Sequence, residues 1–204
     1  MKHYKTLFVF AIFLFQFNVN GQTKEIIDAF SKSYAFQEQT NYDQAIATLN
    51  KVYSNSSYEI NLRLGWLHYL AGNNAQSITF YKKASKVMPA ATEPQWNMIT
   101  TYTKTENWNA IEKLYLSILK LDPKNTSANY NLGLIYYYRK DYTTAKKYFD
   151  VALNLKPFGY NNMLMSAWTN YFLGNINHAS ILFHKVLLYS PNDASALEGL
   201  QLIK

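Results

Sequence analysis

The 204-residue chain is 49% apolar and carries 18 Tyr, 12 Phe and 4 Trp against only 7 Gly and 5 Pro. That balance suits one packed domain of long helices and disfavours a turn-rich β fold. The absence of cysteine excludes disulfides, thiolate metal sites, cysteine nucleophiles and a lipid anchor on Cys. The net charge of +7 is scattered, with no basic run longer than pairs such as Lys82-Lys83, Arg139-Lys140 and Lys146-Lys147. This is too sparse for a nucleic-acid footprint and leaves solubility and mild attraction to acidic partners.

Lys2 and Lys5 precede an unbroken apolar run from Leu7 to Phe15, about half the ~20 residues that a bilayer-spanning helix needs. The pattern is that of a secretory signal peptide over 1–21, with Val19 and Gly21 at the third and first positions before a cut and Gln22 as the new N-terminus. A retained short anchor and a buried first helix are the alternatives; the latter lacks polar residues to give it an outward face. Lys2 and Lys5 leave with the signal, so the surplus falls from +7 to +5. The expected location is outside the cytoplasm, periplasmic or secreted, in a bacterial envelope.

From residue 22 onward a 34-residue period organises the chain. Pro89, Pro123, Pro157 and Pro191 share one phase, Gly65, Ile99, Gly133 and Ala167 a second, and Tyr81, Tyr115, Phe149 and Phe183 a third. The fifth proline, Pro94, falls in a first helical turn, where a missing N–H is tolerated. Repeats are expected at 26–57, 58–91, 92–125, 126–159 and 160–193, all within a single domain over 22–204. In the fourth, Leu132, Gly133, Tyr136 and Tyr137 form one stripe of a first helix, and Ala145, Phe149 and Ala152 one stripe of a second. Small residues stand where the two helices approach and a large ring fills the gap between them. The third repeat has Ile99 and Ile111 at the two small positions, so looser packing is expected there. A closing helix follows over 194–204, with Leu197, Leu200 and Ile203 inward and Gly199 costing about 1 kcal/mol relative to Ala.

Leu132-Gly133, Tyr136, Asp141-Tyr142, Ala145, Phe149, Ala152 and Pro157 stand in the order and spacing of the tetratricopeptide repeat, and the chain resembles that family. The resemblance implies an all-α fold, a right-handed α-solenoid of tandem helix-turn-helix repeats with a C-terminal capping helix. It also implies a concave groove lined by the first helices and occupied by a protein or peptide segment. Carried over repeat by repeat, the groove positions are Ile27, Phe30 and Tyr34, then Glu59, Leu62, Trp66, Tyr69 and Leu70. They continue with Glu93, Trp96, Thr100, Thr103 and Lys104, then Ser127, Tyr130, Leu134, Tyr137 and Tyr138, and finally Asn161, Leu164, Trp168, Tyr171 and Phe172. Leu62, Trp66, Tyr69, Trp96, Tyr130, Tyr137, Tyr138, Trp168, Tyr171 and Phe172 are the partner-binding candidates, because rigid aromatics dominate binding hot spots. Tyr69 and Tyr171 equally suit a role as filler between repeats. The family's clamp for a C-terminal carboxylate is not expected, since Leu62 and Trp66 occupy its first-helix positions, although Asn97 and Asn131 share its other Asn phase.

No catalytic residue, metal or cofactor is expected. His178 and His184 are six apart with no carboxylate at helical spacing, and Ser117 to Lys120 forms Ser-x-x-Lys without companion motifs. Two glycosylation sequons, Asn55-Ser56-Ser57 and Asn125-Thr126-Ser127, fall at repeat junctions and suit helix capping. The expected function is an exported scaffold for protein–protein interaction, not an enzyme. The alternative is an envelope protein that binds glycans or small ligands with the same aromatic surface.

Overall fold

The computed structural model describes residues 23–203, and the expected signal segment with its cut after Gly21 lies outside them. The described residues form eleven helices and no strand. They are α1 (23–38), α2 (Tyr42–Asn50), α3 (Tyr58–Leu70), α4 (Asn74–Val87), α5 (Glu93–Thr103) and α6 (Trp108–Leu121). Then follow α7 (Thr126–Tyr138), α8 (Tyr142–Leu155), α9 (Tyr160–Phe172), α10 (Ile176–Tyr189) and α11 (Ala194–Leu202). The chain divides into two compact units after Thr101, inside α5. Within the first, α2 packs on α3 and α3 on α4; within the second, each helix from α6 to α11 packs on the next, and α9 also touches α7 and α11.

Each pair turns by the same local chemistry. The first helix ends in a left-handed residue, Thr40, Gly72, Glu106, Lys140 or Gly174, with φ between 53 and 78°. An N–H to C=O bond from the next residue back five positions closes the turn, as in Asn73 to His68 at 2.8 Å and Asp141 to Tyr136 at 3.0 Å. That next residue is always Asn or Asp, and Asn41, Asn107 and Asp141 cap the second helix through their side chains. Only two of the five turns use glycine, so the other three hold an L-residue in a conformation that disfavours it.

Large rings fit into notches left by missing side chains. A Cβ on Gly133 would stand 2.5 Å from the Phe149 ring, and one on Gly65 would stand 2.6 Å from that of Tyr81; both rings are buried. Ala167 and Phe183 hold the same phase and share a core with Met163, Ala179, Leu182, Val186 and Ala196. The first unit has its own core of Ala29, Ala45, Leu49, Ile60, Leu64 and Leu67.

A second periodic feature was not anticipated. Asn61, Gln95 and Asn129, spaced by 34 residues, are buried amides that tie a first helix to the chain just before it. Asn61 donates to the carbonyls of Asn55 (3.0 Å) and Ser57 (2.6 Å), and Asn129 to those of Pro123 (3.0 Å) and Asn125 (2.9 Å). Gln95, in the amide orientation that satisfies both ends, donates to Ala91 (2.8 Å) and Thr92 (3.1 Å). Each amide replaces water at carbonyls buried in a junction, where an unmet acceptor is costly.

The closing helix differs from expectation. Ala196 and Gly199 face inward and Leu197 is 41% exposed, while Leu200 and Ile203 pack on the core. Gly199 is not a weak point, because a Cβ there would collide with the Phe183 ring. The helix uses the repeat's ring-in-notch contact to cover the last pair. Of the two sequons, Asn125 caps α7 by accepting from the Ala128 N–H at 3.0 Å, whereas at the other Ser57, not Asn55, caps α3.

Gly133→Ala should destabilise the protein by about 1–3 kcal/mol through overpacking against Phe149. The reading is a lower urea midpoint at unchanged slope. In a Phe149→Leu background the same change should cost clearly less; an equal loss in both backgrounds contradicts the contact.

Candidate functional site

In the second unit five of the candidate residues converge. Tyr137 meets Tyr138 edge-on at 5.6 Å, Tyr142 at 5.5 Å and Phe172 at 6.0 Å. Phe172 lies flat on Tyr142 at 4.7 Å, and Trp168 reaches both Tyr171 (5.6 Å) and Phe172 (6.1 Å). The tract crosses α7, α8 and α9. Its inner side is anchored, with Trp168 edge-on to buried Phe183 at 5.0 Å and its Nε1–H donating to Ser195 Oγ at 2.9 Å. Burial pushes the Tyr137 hydroxyl up to about 12, so that ring stays neutral. Its outer side is open, Tyr138 being 76% and Phe172 46% exposed. Tyr171 is half-buried against the core, which leaves it mainly a filler.

Tyr130 does not join this tract. It is half-buried, tilted against Phe149 at 5.8 Å, and borders a polar hollow with Asn131 and Tyr160.

In the first unit Leu62 and Trp66 line a cavity of about 840 Å³ together with Phe30, Tyr34, Arg63 and Glu93. Trp66, 36% exposed, stacks on Tyr69 at 5.3 Å and donates its Nε1–H to Gln37 Oε1 at 3.2 Å. Trp96 is half-buried on α5 and does not line this cavity. Arg63, which sequence reasoning passed over, is 7% exposed. Its guanidinium donates to Ser33 Oγ (3.1 Å), Ser33 C=O (3.2 Å) and Gln37 Oε1 (2.6 Å), and lies 3.8 Å from the Tyr34 ring centre. Neutral acceptors and a π face thus hold a buried cation and join α1 to α3.

A second cavity, of about 520 Å³, opens between α6 and α7 and is lined by Trp108, Tyr115, Asn131, Leu134, Ile135, Tyr138 and Arg139. Arg139 is paired outside this lining with Glu112, which accepts from the Tyr136 hydroxyl and from Arg139, each at 2.6 Å. The Tyr136 bond, reinforced by Arg139, holds the Glu112 carboxyl below its usual range, and the same bond pushes the Tyr136 hydroxyl up to about 12.

Trp108 and Tyr142 were missed as site residues. Each opens a second helix directly after its Asn or Asp cap, 34 residues apart. That shared phase was the available signal. Among the described residues the histidines do not assemble into a site. His68 stacks flat on Phe80 at 5.3 Å with its pKa lowered by burial, and His184 Nδ1 meets the Ser180 carbonyl at 2.8 Å. Among the described residues, no group of three His, Cys, Asp or Glu could hold a metal ion, and no helix is long and apolar enough to cross a membrane.

Two tetratricopeptide repeat family models match the sequence, one over residues 30–89 and one over 127–158. The chain carries tetratricopeptide repeats. A tetratricopeptide repeat protein from Parabacteroides merdae ATCC 43184 matches with a TM-score of 0.69 at 20% identity, over 88% of this chain and 72% of that one. The protein MamA matches with a TM-score of 0.66 at 18% identity, over 84% of this chain and 95% of its own. A structure of MamA AMB-1 gives 0.64 at 19% identity, over 88% and 96%. No protein of curated function matches the sequence. The structural likenesses show the fold, an α-solenoid of tetratricopeptide helix pairs, as the family resemblance implied.

Tyr136→Phe should move the Glu112 pKa up toward the ordinary carboxylate value, as read by carbon-13 NMR titration. Because the folded pKa is depressed, Glu112 contributes stability above the unfolded carboxylate pKa, and this is lost as pH falls through the folded pKa. The variant should therefore show a smaller acid-side loss of stability from this group. An unchanged Glu112 titration contradicts the assigned cause.

Proposed function

We propose that this tetratricopeptide chain is an exported scaffold that holds a segment of a partner protein against the aromatic tract of α7–α9. The observation that carries the reading is the tract's two-sidedness. Its inner rings are fixed by packing and by the Trp168–Ser195 bond, while Tyr138 and Phe172 stay open to solvent. Rigid rings held in place lose little entropy when covered, which is the usual design of a binding hot spot. Binding is favoured over catalysis because the polar clusters, Arg63 with Gln37 and Glu112 with Tyr136 and Arg139, join neighbouring helices. Export is supported by the Lys2, Lys5 and Leu7–Phe15 pattern.

An affinity surface bearing the chain should recover a protein from envelope extracts. Tyr138→Ala with Phe172→Ala should weaken that capture about tenfold or more, whereas Leu188→Ala, at an exposed site on α10, should not. Capture insensitive to the two ring deletions rejects the tract as the binding surface. Export is tested separately: N-terminal sequencing of the protein from its native host should begin at Gln22, and a chain that retains Met1 contradicts cleavage.

A further inference from the structure

We propose that the cavity between α6 and α7 binds a small amphipathic carboxylic acid, its aliphatic or aromatic body inside and its carboxylate on Arg139. This goes beyond the protein-partner reading, with which it shares Tyr138. At about 520 Å³ the cavity falls within the range of small-ligand sites. Trp108, Tyr115, Leu134, Ile135 and Tyr138 give it an apolar and aromatic wall, with Asn131 and Arg139 as the polar groups. Such a wall suits a ligand with one polar end and not a sugar, whose hydroxyls need partners on every side.

The polar end is selected by hydrogen bonding to a guanidinium. Among the described residues Arg139 is the one charged residue that lines the cavity, and its partner Glu112 is not part of the lining. Its Nη1 donates to Glu112, which is itself held by Tyr136, so the guanidinium is fixed in place while its other N–H groups remain to donate. Its side chain is 42% exposed, which places it where a ligand's head group would meet water. Asn131 spends one of its two amide N–H groups on the Ser127 carbonyl at 2.8 Å, leaving the other and Oδ1 beside the same wall.

The wall also contains an unexplained ring. Trp108 is 52% exposed at the first position of α6, outside the aromatic tract, and a ligand in the cavity would cover it. Covering rings at an apolar cavity is the favourable step, and the carboxylate–guanidinium contact gives selectivity.

Isothermal titration calorimetry of the full chain with octanoate and with 1-octanol tests the proposal. Octanoate should bind saturably at one site, about tenfold or more tighter than octanol, the range expected for a hydrogen bond to a charged group. Arg139→Gln should erase the preference for the acid, and Trp108→Ala should weaken octanoate binding. Absence of saturable octanoate binding at millimolar concentration overturns the proposal, as does equal affinity for acid and alcohol. If Arg139→Gln fails to fold, the acid-to-alcohol ratio on the unaltered chain still decides. A failure here leaves the partner-capture result untouched, so the two readings fall separately.

Discussion

The fold depends on a large ring seated in a notch where a neighbouring helix lacks a side chain. Phe149 over Gly133, Tyr81 over Gly65 and Phe183 under Gly199 are instances of that contact, and in each the space a Cβ would need is already filled by the ring. Close approach of backbones removes the ring from water and brings the helices near enough for the rest of the stripe to touch. Because the ring belongs to the second helix and the notch to a first or closing helix, the contact can recur without limit along a chain. The closing helix shows this, since it borrows the notch while leaving Leu197 in solvent. Buried amides at Asn61, Gln95 and Asn129 complement the rings by meeting the junction carbonyls that packing removes from water.

With one buried ring on each of α4, α6, α8 and α10, the remaining aromatics are free to occupy faces. In the second unit they gather into a tract whose inner members are immobilised by the core and whose outer members, Tyr138 and Phe172, are open. In the first unit the face is mixed, with Trp66 and Tyr34 beside a buried Arg63 held by neutral acceptors and a ring. These are chemically different surfaces on similar helix pairs. Function in a repeat fold resides in such surface substitutions and not in the architecture.

The architecture was legible because its determinants are periodic. Proline stops, small positions and ring positions recur every 34 residues, and each has a local physical meaning that does not depend on what lies across the fold. Gly199 was misread because a glycine in a helix is a weakness by propensity, and only the Phe183 ring above it turns the missing Cβ into a requirement. Arg63 escaped notice for a related reason: its acceptors, Ser33 and Gln37, come from another helix 26 to 30 residues away, and a lone arginine in sequence looks solvated. The groove positions named ten candidate residues, and five of them converge in one tract. Tyr130 turned toward Phe149 and Trp96 fell outside the first-unit cavity, since helical phase fixes a direction but not what a neighbouring helix offers there.

Rings that hold the fold are distinct from the exposed rings of the tract, and equilibrium unfolding of two single variants tests that division most directly. Phe149→Ala should lose about 3–5 kcal/mol, the range for deleting a buried aromatic, while Tyr138→Ala should stay within about 0.5 kcal/mol of the parent, as an exposed substitution does. Comparable losses in the two variants would contradict the division and make the aromatic tract a part of the core.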